Sequence, residues 1–70
     1  MEEIKINKVQ AYRKTLGIKQ KEFAKLLGIH EVMYSRKERK VTPFTDIEKV
    51  LLLNYFKQYF PSETIDSLFF

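Results

Sequence analysis

The feature that most limits what this chain can fold into is a glycine corner at position 28, with a short helical pattern on either side. Along Gln20 to Leu27, the residues Phe23, Ala24 and Leu27 recur on one face at helical spacing. Gly28 stands where that helix has to stop, and glycine takes the left-handed backbone of a helix C′ position at little steric cost. Ile29, the first apolar residue past the corner, is placed to plug the gap between two helices. Ala24, four residues before the glycine, is small enough to let a second helix cross closely. A further helical pattern runs with few breakers from about His30 or Glu31 to Arg39. Neither helix is long enough to be stable alone, so both have to fold against the rest of the chain.

That remainder reads as more helix. Ile4 and Ile6 sit in a short extended lead-in over residues 1–6 and are available to pack. Asn7 is a good N-cap, with Gln10 three residues later to complete a capping box. A helix from about Lys8 to Leu16 then places Val9, Tyr12, Leu16 and Arg13 together, and Gly17 ends it. Lys19 is a poor N-cap for the next helix, whose start has to be held by packing. Lys40 to Phe44 is a loop, anchored to the core by Val41 and Phe44. Thr45 and Glu48 form a capping box for a fourth helix whose apolar side is Ile47, Val50, Leu51, Tyr55 or Asn54, and Phe56. Pro61 requires that helix to end by Phe60. The tail carries a fifth helical turn with Ile65 and Leu68 inward. The expected fold is all-α: one domain over residues 1–70, a compact bundle of four to five short helices. Its helix-turn-helix occupies about 20–39, and an apolar segment 61–70 follows.

Composition narrows the function. With 70 residues there is no room for a second domain. The chain has no cysteine and one histidine, so no disulfide, metal or other cofactor is expected. Two glycines cannot build a phosphate-cradling loop, and no nucleophile–base spacing is present, so no enzyme is expected. No apolar run approaches the roughly 20 residues of a membrane span, and the start of the chain lacks the pattern of a signal peptide; a cytoplasmic protein without a membrane partner is expected. The net charge of +4 is unevenly placed. Residues 1–40 carry eleven lysines or arginines against five glutamates, a net +6, whereas residues 41–70 are net −2. The basic half is the half with the glycine corner. Two helices about such a corner are the pattern of a helix-turn-helix, whose second helix enters the DNA major groove, and a basic face there favours a polyanionic partner.

Three stretches carry a closer likeness: Arg13 to Gln20 (RKTLGIKQ), Glu22 to Ile29 (EFAKLLGI) and Ser35 to Glu38 (SRKE). With them the chain resembles the phage Cro and lambda-repressor-like helix-turn-helix family over roughly residues 5–60. Its Tyr34 to Glu38 stretch and its ending resemble small regulators from phages of Gram-positive bacteria, either Cro-type proteins or modulators of repression. The resemblance implies a lambda-repressor-like DNA-binding domain. It implies that Gln20 contacts a phosphate, that Phe23, Ala24, Gly28 and Ile29 are scaffold, and that Arg13 and Glu38 form a structural ion pair. It implies that Glu31, Val32, Ser35 and Arg36 face the bases.

The spacing of those four agrees with one stripe of a helix. Arg36 can pair with O6 and N7 of guanine, Val32 can touch a thymine methyl, Glu31 can accept from cytosine N4, and Ser35 can bond a base or a phosphate. Lys19, Lys21, Lys37, Arg39 and Lys40 flank the stripe and are expected at phosphates, against the plainer reading of a solvated face. Lys37 falls where most of the family has an aliphatic residue, which favours a snorkelling side chain. His30 reads as a cap or corner residue.

Two functions follow. The first is a sequence-specific DNA-binding transcription regulator, acting on double-stranded DNA as a homodimer, with Phe60, Leu68, Phe69 and Phe70 as the dimer or partner surface, against the alternative that this apolar segment folds back on the core, the favoured one for Leu68. The second is an antirepressor that docks on a cognate repressor protein through the same helix, for which an acidic and apolar helix tip at Glu31, Val32 and Met33 is suited.

Overall fold

The computed structural model describes residues 7–70 and is helical throughout, with α1 Lys8–Thr15, α2 Gln20–Leu27, α3 Glu31–Glu38, α4 Asp46–Lys57 and α5 Ile65–Phe69. The lead-in with Ile4 and Ile6 lies outside the described residues.

Local chemistry sets the boundaries. Asn7 accepts the Gln10 N–H at 3.2 Å and starts α1. Thr45 accepts the Glu48 N–H at 3.2 Å while the Glu48 carboxylate accepts the Thr45 N–H at 2.8 Å, closing a capping box on α4. Lys19 offers no acceptor to α2, but Glu22 reaches back to the Lys19 N–H at 2.8 Å. Three helices end alike. Gly17, Gly28 and Lys40 all hold left-handed backbone, with φ of 69°, 69° and 65°. The next N–H in each case, from Ile18, Ile29 and Val41, bonds the carbonyl five residues back, on Arg13, Ala24 and Arg36. Two of these positions are glycine; Lys40 adopts the same conformation with a side chain attached.

The core is Val9, Phe23, Ala24, Tyr34, Leu52, Phe56 and Leu68, one or two residues from each helix. Phe23 is its centre. Its ring meets Tyr55, Phe56 and Tyr34 edge-on, with centroids 5.2, 5.5 and 6.0 Å away, the geometry aromatic quadrupoles prefer. Among the described residues no helix is long and apolar enough to cross a membrane.

Three expectations need correction. On α4 the inward row is Glu48, Leu52 and Phe56, spaced four apart, whereas Ile47, Val50 and Leu51 are 74%, 48% and 37% exposed. Val50 to Leu53 are four consecutive apolar residues that together face every side of the helix, so periodicity alone does not select the inner side. Val41 is 65% exposed and does not anchor its loop; Phe44 does, packing on Phe69 and Tyr34. Finally, most of the supposed dimer surface is interior. Leu68 is buried, Phe60 stacks on Tyr12 at 3.9 Å between ring centroids, and only Phe70 stands in solvent.

The tail is held by a carboxylate that pattern reading missed. Glu63 is buried and accepts from the Tyr12 hydroxyl, from Ser67 Oγ at 2.6 Å and from Lys8 Nζ at 3.2 Å. The hydrogen bonds from Ser67 and Tyr12 hold its carboxyl below the usual carboxylate range, against the opposing effect of burial.

Candidate nucleic-acid interface

A helix that reads a groove needs one face fixed and the opposite face open, and α3 divides in this way. Tyr34, Lys37 and Glu38, at positions i, i+3 and i+4, are buried. Glu31, Val32 and Arg36 are exposed, Ser35 is half-buried, and Met33 beside them is 48% exposed. The four residues assigned to the bases therefore share the outer side. Among the described residues, no hydrogen bond or ion pair engages the Arg36 guanidinium.

The inner side is fixed by one carboxylate. Arg13 on α1 donates to Glu38 twice, Nε to Oε2 at 2.7 Å and Nη2 to Oε1 at 3.0 Å. Gln20 at the head of α2 donates to Oε1 at 3.2 Å, and the Tyr34 hydroxyl donates to Oε2 at 2.6 Å. The third Arg13 nitrogen, Nη1, donates to the Ile18 carbonyl at 2.8 Å, and Asn7 Nδ2 donates to the Glu38 carbonyl at 2.6 Å. Glu38 thus ties α1, α2 and α3 at one point. Burial pushes its carboxyl up, but the hydrogen bonds from Arg13, Tyr34 and Gln20 outweigh burial and hold it below the ordinary range. The same contact raises Arg13, and burial, followed by the bond to Glu38, drives the Tyr34 hydroxyl far above its usual value.

The head of α3 is set by the corner. The Ile29 N–H bonds the Ala24 carbonyl at 3.0 Å, and His30 Nδ1 accepts the Val32 N–H at 3.2 Å. Ala24 is buried, so α2 and α3 approach closely there. Their crossing leaves a shallow cleft lined by Lys21, Lys25, Ile29, His30 and Glu31. It places two α2 cations beside the tip of α3. Lys25 was not singled out by the sequence reading; its four-residue spacing from Lys21 is the signal that could have found it.

Of the phosphate candidates, Lys19, Lys21, Arg39 and Lys40 are exposed. Lys37 is not available. Its side chain is 7% exposed and its ammonium lies 2.5 Å from Glu48 Oε1. The stem is buried as a snorkelling residue requires, but the charge ends on a carboxylate of α4, not in solvent. Gln20 is also turned inward: its amide nitrogen is committed to Glu38, so it braces α2 against α3. Glu48, in turn, is raised by burial and lowered further by Lys37 and by the Thr45 N–H, for a net downward shift.

Among the described residues no cluster of side chains suited to a metal ion occurs. What the surface offers is a rigid helix with a mixed acidic, apolar and guanidinium face and a cationic border. That arrangement can hydrogen-bond base edges and neutralise phosphates.

No curated protein and no solved structure matches the chain significantly. The profile of the helix-turn-helix family HTH_3 matches residues 9–56, which run from the first turn of α1 to the last turn of α4 and contain the whole corner. The chain therefore belongs to the Cro/C1-type helix-turn-helix family, a family of DNA-binding transcription regulators.

Proposed function

We propose that this protein is a sequence-specific regulator of a phage-type genetic switch, acting as one domain over residues 1–70, with α3 lying in the major groove. The supporting observation is the division of α3: its inner row is pinned by Glu38, while Arg36 and its neighbours stand open on the other side. Arg36 reads a guanine through O6 and N7, Val32 meets a thymine methyl, Ser35 bonds a base or a phosphate, and Glu31 accepts from cytosine N4. Lys19, Lys21, Lys25, Arg39 and Lys40 neutralise phosphates; Lys37 and Gln20 position the helix from behind. A domain of this size makes few phosphate contacts, so it works as a homodimer on a two-fold site, in the cytoplasm of the host cell.

The test is fluorescence anisotropy of the protein with labelled duplex DNA from beside its own gene, across a salt series. The expected result is binding that survives competitor DNA and weakens steeply with salt. Weak binding, abolished by competitor at every salt concentration, contradicts the reading.

A second reading has its own observation. Val32 is 53% and Met33 48% exposed at the tip of the helix, next to the acidic Glu31. An apolar and acidic tip suits a basic protein surface, as in an antirepressor that docks on a cognate repressor. A complex of that kind persists in salt concentrations that dissociate DNA, and mixing the protein with the repressor encoded beside it distinguishes the two.

A further inference from the structure

The terminal aromatics are largely used up inside the fold, whereas the outer side of α4 is apolar and bare. Ile47, Val50 and Leu51 line one shallow depression there with Asp46, on the side turned away from the buried row Glu48, Leu52 and Phe56. A helix that is apolar on both sides is one that is covered on both sides. We propose that this face is covered by the same face of a second copy, in an antiparallel α4–α4 pair about a two-fold axis. The proposal rests on the reading of the protein as a dimeric DNA binder for its purpose, but not for its geometry.

Self-complementarity favours a second copy over an unrelated partner. An isologous contact requires a surface that matches itself. With the axis at the level of Val50 and Leu51, those two residues meet their counterparts. Ile47 then lies over Asn54 of the second copy, seven residues along the same stripe. The stripe is acidic at one end, with Asp46 in the first turn, and basic at the other, with Lys57 in the last. Antiparallel pairing brings each end within about one turn of the opposite charge and aligns the two helix dipoles favourably. Size bears on strength. Three partly exposed side chains offer a few hundred Å² of apolar surface, as large as the main patch of an ordinary monomer but below the roughly 800 Å² per partner of a standard interface. The pair is therefore weak in free solution and reinforced when both copies sit on one duplex.

The chain has no cysteine, which makes the test direct. Val50→Cys places a thiol beside the axis, within disulfide reach of its own copy; Leu26→Cys, on an exposed position of α2, is the control. Both are oxidised mildly without DNA, and the unmodified protein and its Ile47→Asp and Phe70→Asp variants are compared by sedimentation equilibrium up to about 1 mM, the range of weak association. The expected result is disulfide-linked dimer at least about tenfold faster for Val50→Cys than for Leu26→Cys, with self-association weakened about tenfold by Ile47→Asp and little by Phe70→Asp. Equal oxidation rates, or self-association lost in Phe70→Asp and kept in Ile47→Asp, overturn the proposal. Because no DNA is present, either result leaves the question of DNA reading to be answered separately.

Discussion

Arg13 and Glu38 lie 25 positions apart in the chain and meet through two parallel hydrogen bonds, of 2.7 and 3.0 Å, in the interior of the fold. This fork sets the angle of α3. Glu38 is the last residue of that helix, and every rotation of its side chain is opposed by Arg13, Gln20 and Tyr34 together. Removing one partner leaves the other charge buried without its counter-charge. Arg13→Ala is expected to cost about 3–5 kcal/mol, read as a shift in urea midpoint at unchanged slope. Glu38→Gln keeps the shape but leaves the Arg13 guanidinium without its counter-charge and sets an NH2 group against the donors that face Glu38, so a loss of similar size is expected. A destabilisation near zero for Arg13→Ala contradicts the assignment of Glu38 as the tie between helices.

The same contacts set the pH dependence. The carboxyls of Glu38, Glu48 and Glu63 are all shifted downward in the fold. A depressed carboxylate contributes stability that is present above its unfolded value, about 4.3, and lost as pH falls through the lower, folded value. Stability is therefore expected to be level near neutrality and to decline below about pH 4.3. Tyr34 acts at the other end. Its raised value contributes stability that is present below its ordinary value of 10.0 and lost at higher pH. Circular dichroism against pH checks both limbs, and Tyr34→Phe should remove part of the alkaline one.

Lys37 separates a structural lysine from a functional one. Its ammonium is held by Glu48. Lys37→Met alone leaves Glu48 buried and unpaired and is expected to destabilise the fold. Lys37→Met with Glu48→Gln should recover most of that loss, since a buried pair is costly to break and cheap to replace. In DNA binding, Lys21→Ala should reduce the slope of log affinity against log salt by about 1, whereas the double variant at positions 37 and 48 should leave it unchanged. A reduced slope in the double variant contradicts the burial of that charge.

Lys40 offers a gain. It holds φ of 65° where the equivalent helix ends carry glycine. The left-handed conformation costs a side-chain-bearing residue roughly 1–2 kcal/mol, part of which glycine returns through its looser unfolded state. Lys40→Gly is expected to stabilise the fold by about 0.5–1 kcal/mol, a rise of a few degrees in Tm, while weakening DNA binding uniformly across sequences. A fall in Tm contradicts the strain argument.

Much of this was legible in the chain because it rests on local chemistry. Asn7 and Thr45 announce helix starts, Gly17 and Gly28 announce stops, and Phe23 with Ala24 marks the inner side of α2. The outer row of α3 came from the family resemblance, and its spacing agrees with one stripe of a helix. What was not legible depends on distant partners. The resemblance marks the stem of Lys37 for burial, but not that its charge ends on Glu48, eleven residues on. Glu63 follows a proline in a polar stretch and gives no sign that Tyr12 and Lys8 will enclose it. Ile47, Val50 and Leu51 are as apolar as the true core, and only the burial of Glu48 in their helix reveals that the interior lies on the other side. The terminal phenylalanines mislead for the same reason, since Phe60 and Phe69 find Tyr12 and Phe44 within the same chain.

We assign the outer row of α3 to base edges, with Arg36 at its centre. The most direct measurement is selection of binding sites from a pool of random duplex DNA, carried out in parallel with the protein and with Arg36→Ala, a substitution at an exposed side chain. The account predicts a two-fold sequence motif containing a guanine at one position of each half-site. In Arg36→Ala that position should become indifferent, at a cost of about 1–3 kcal/mol in affinity for the original site, while the remaining positions persist. The same motif with the guanine intact in both selections, or no enriched sequence from the unaltered protein, would contradict it.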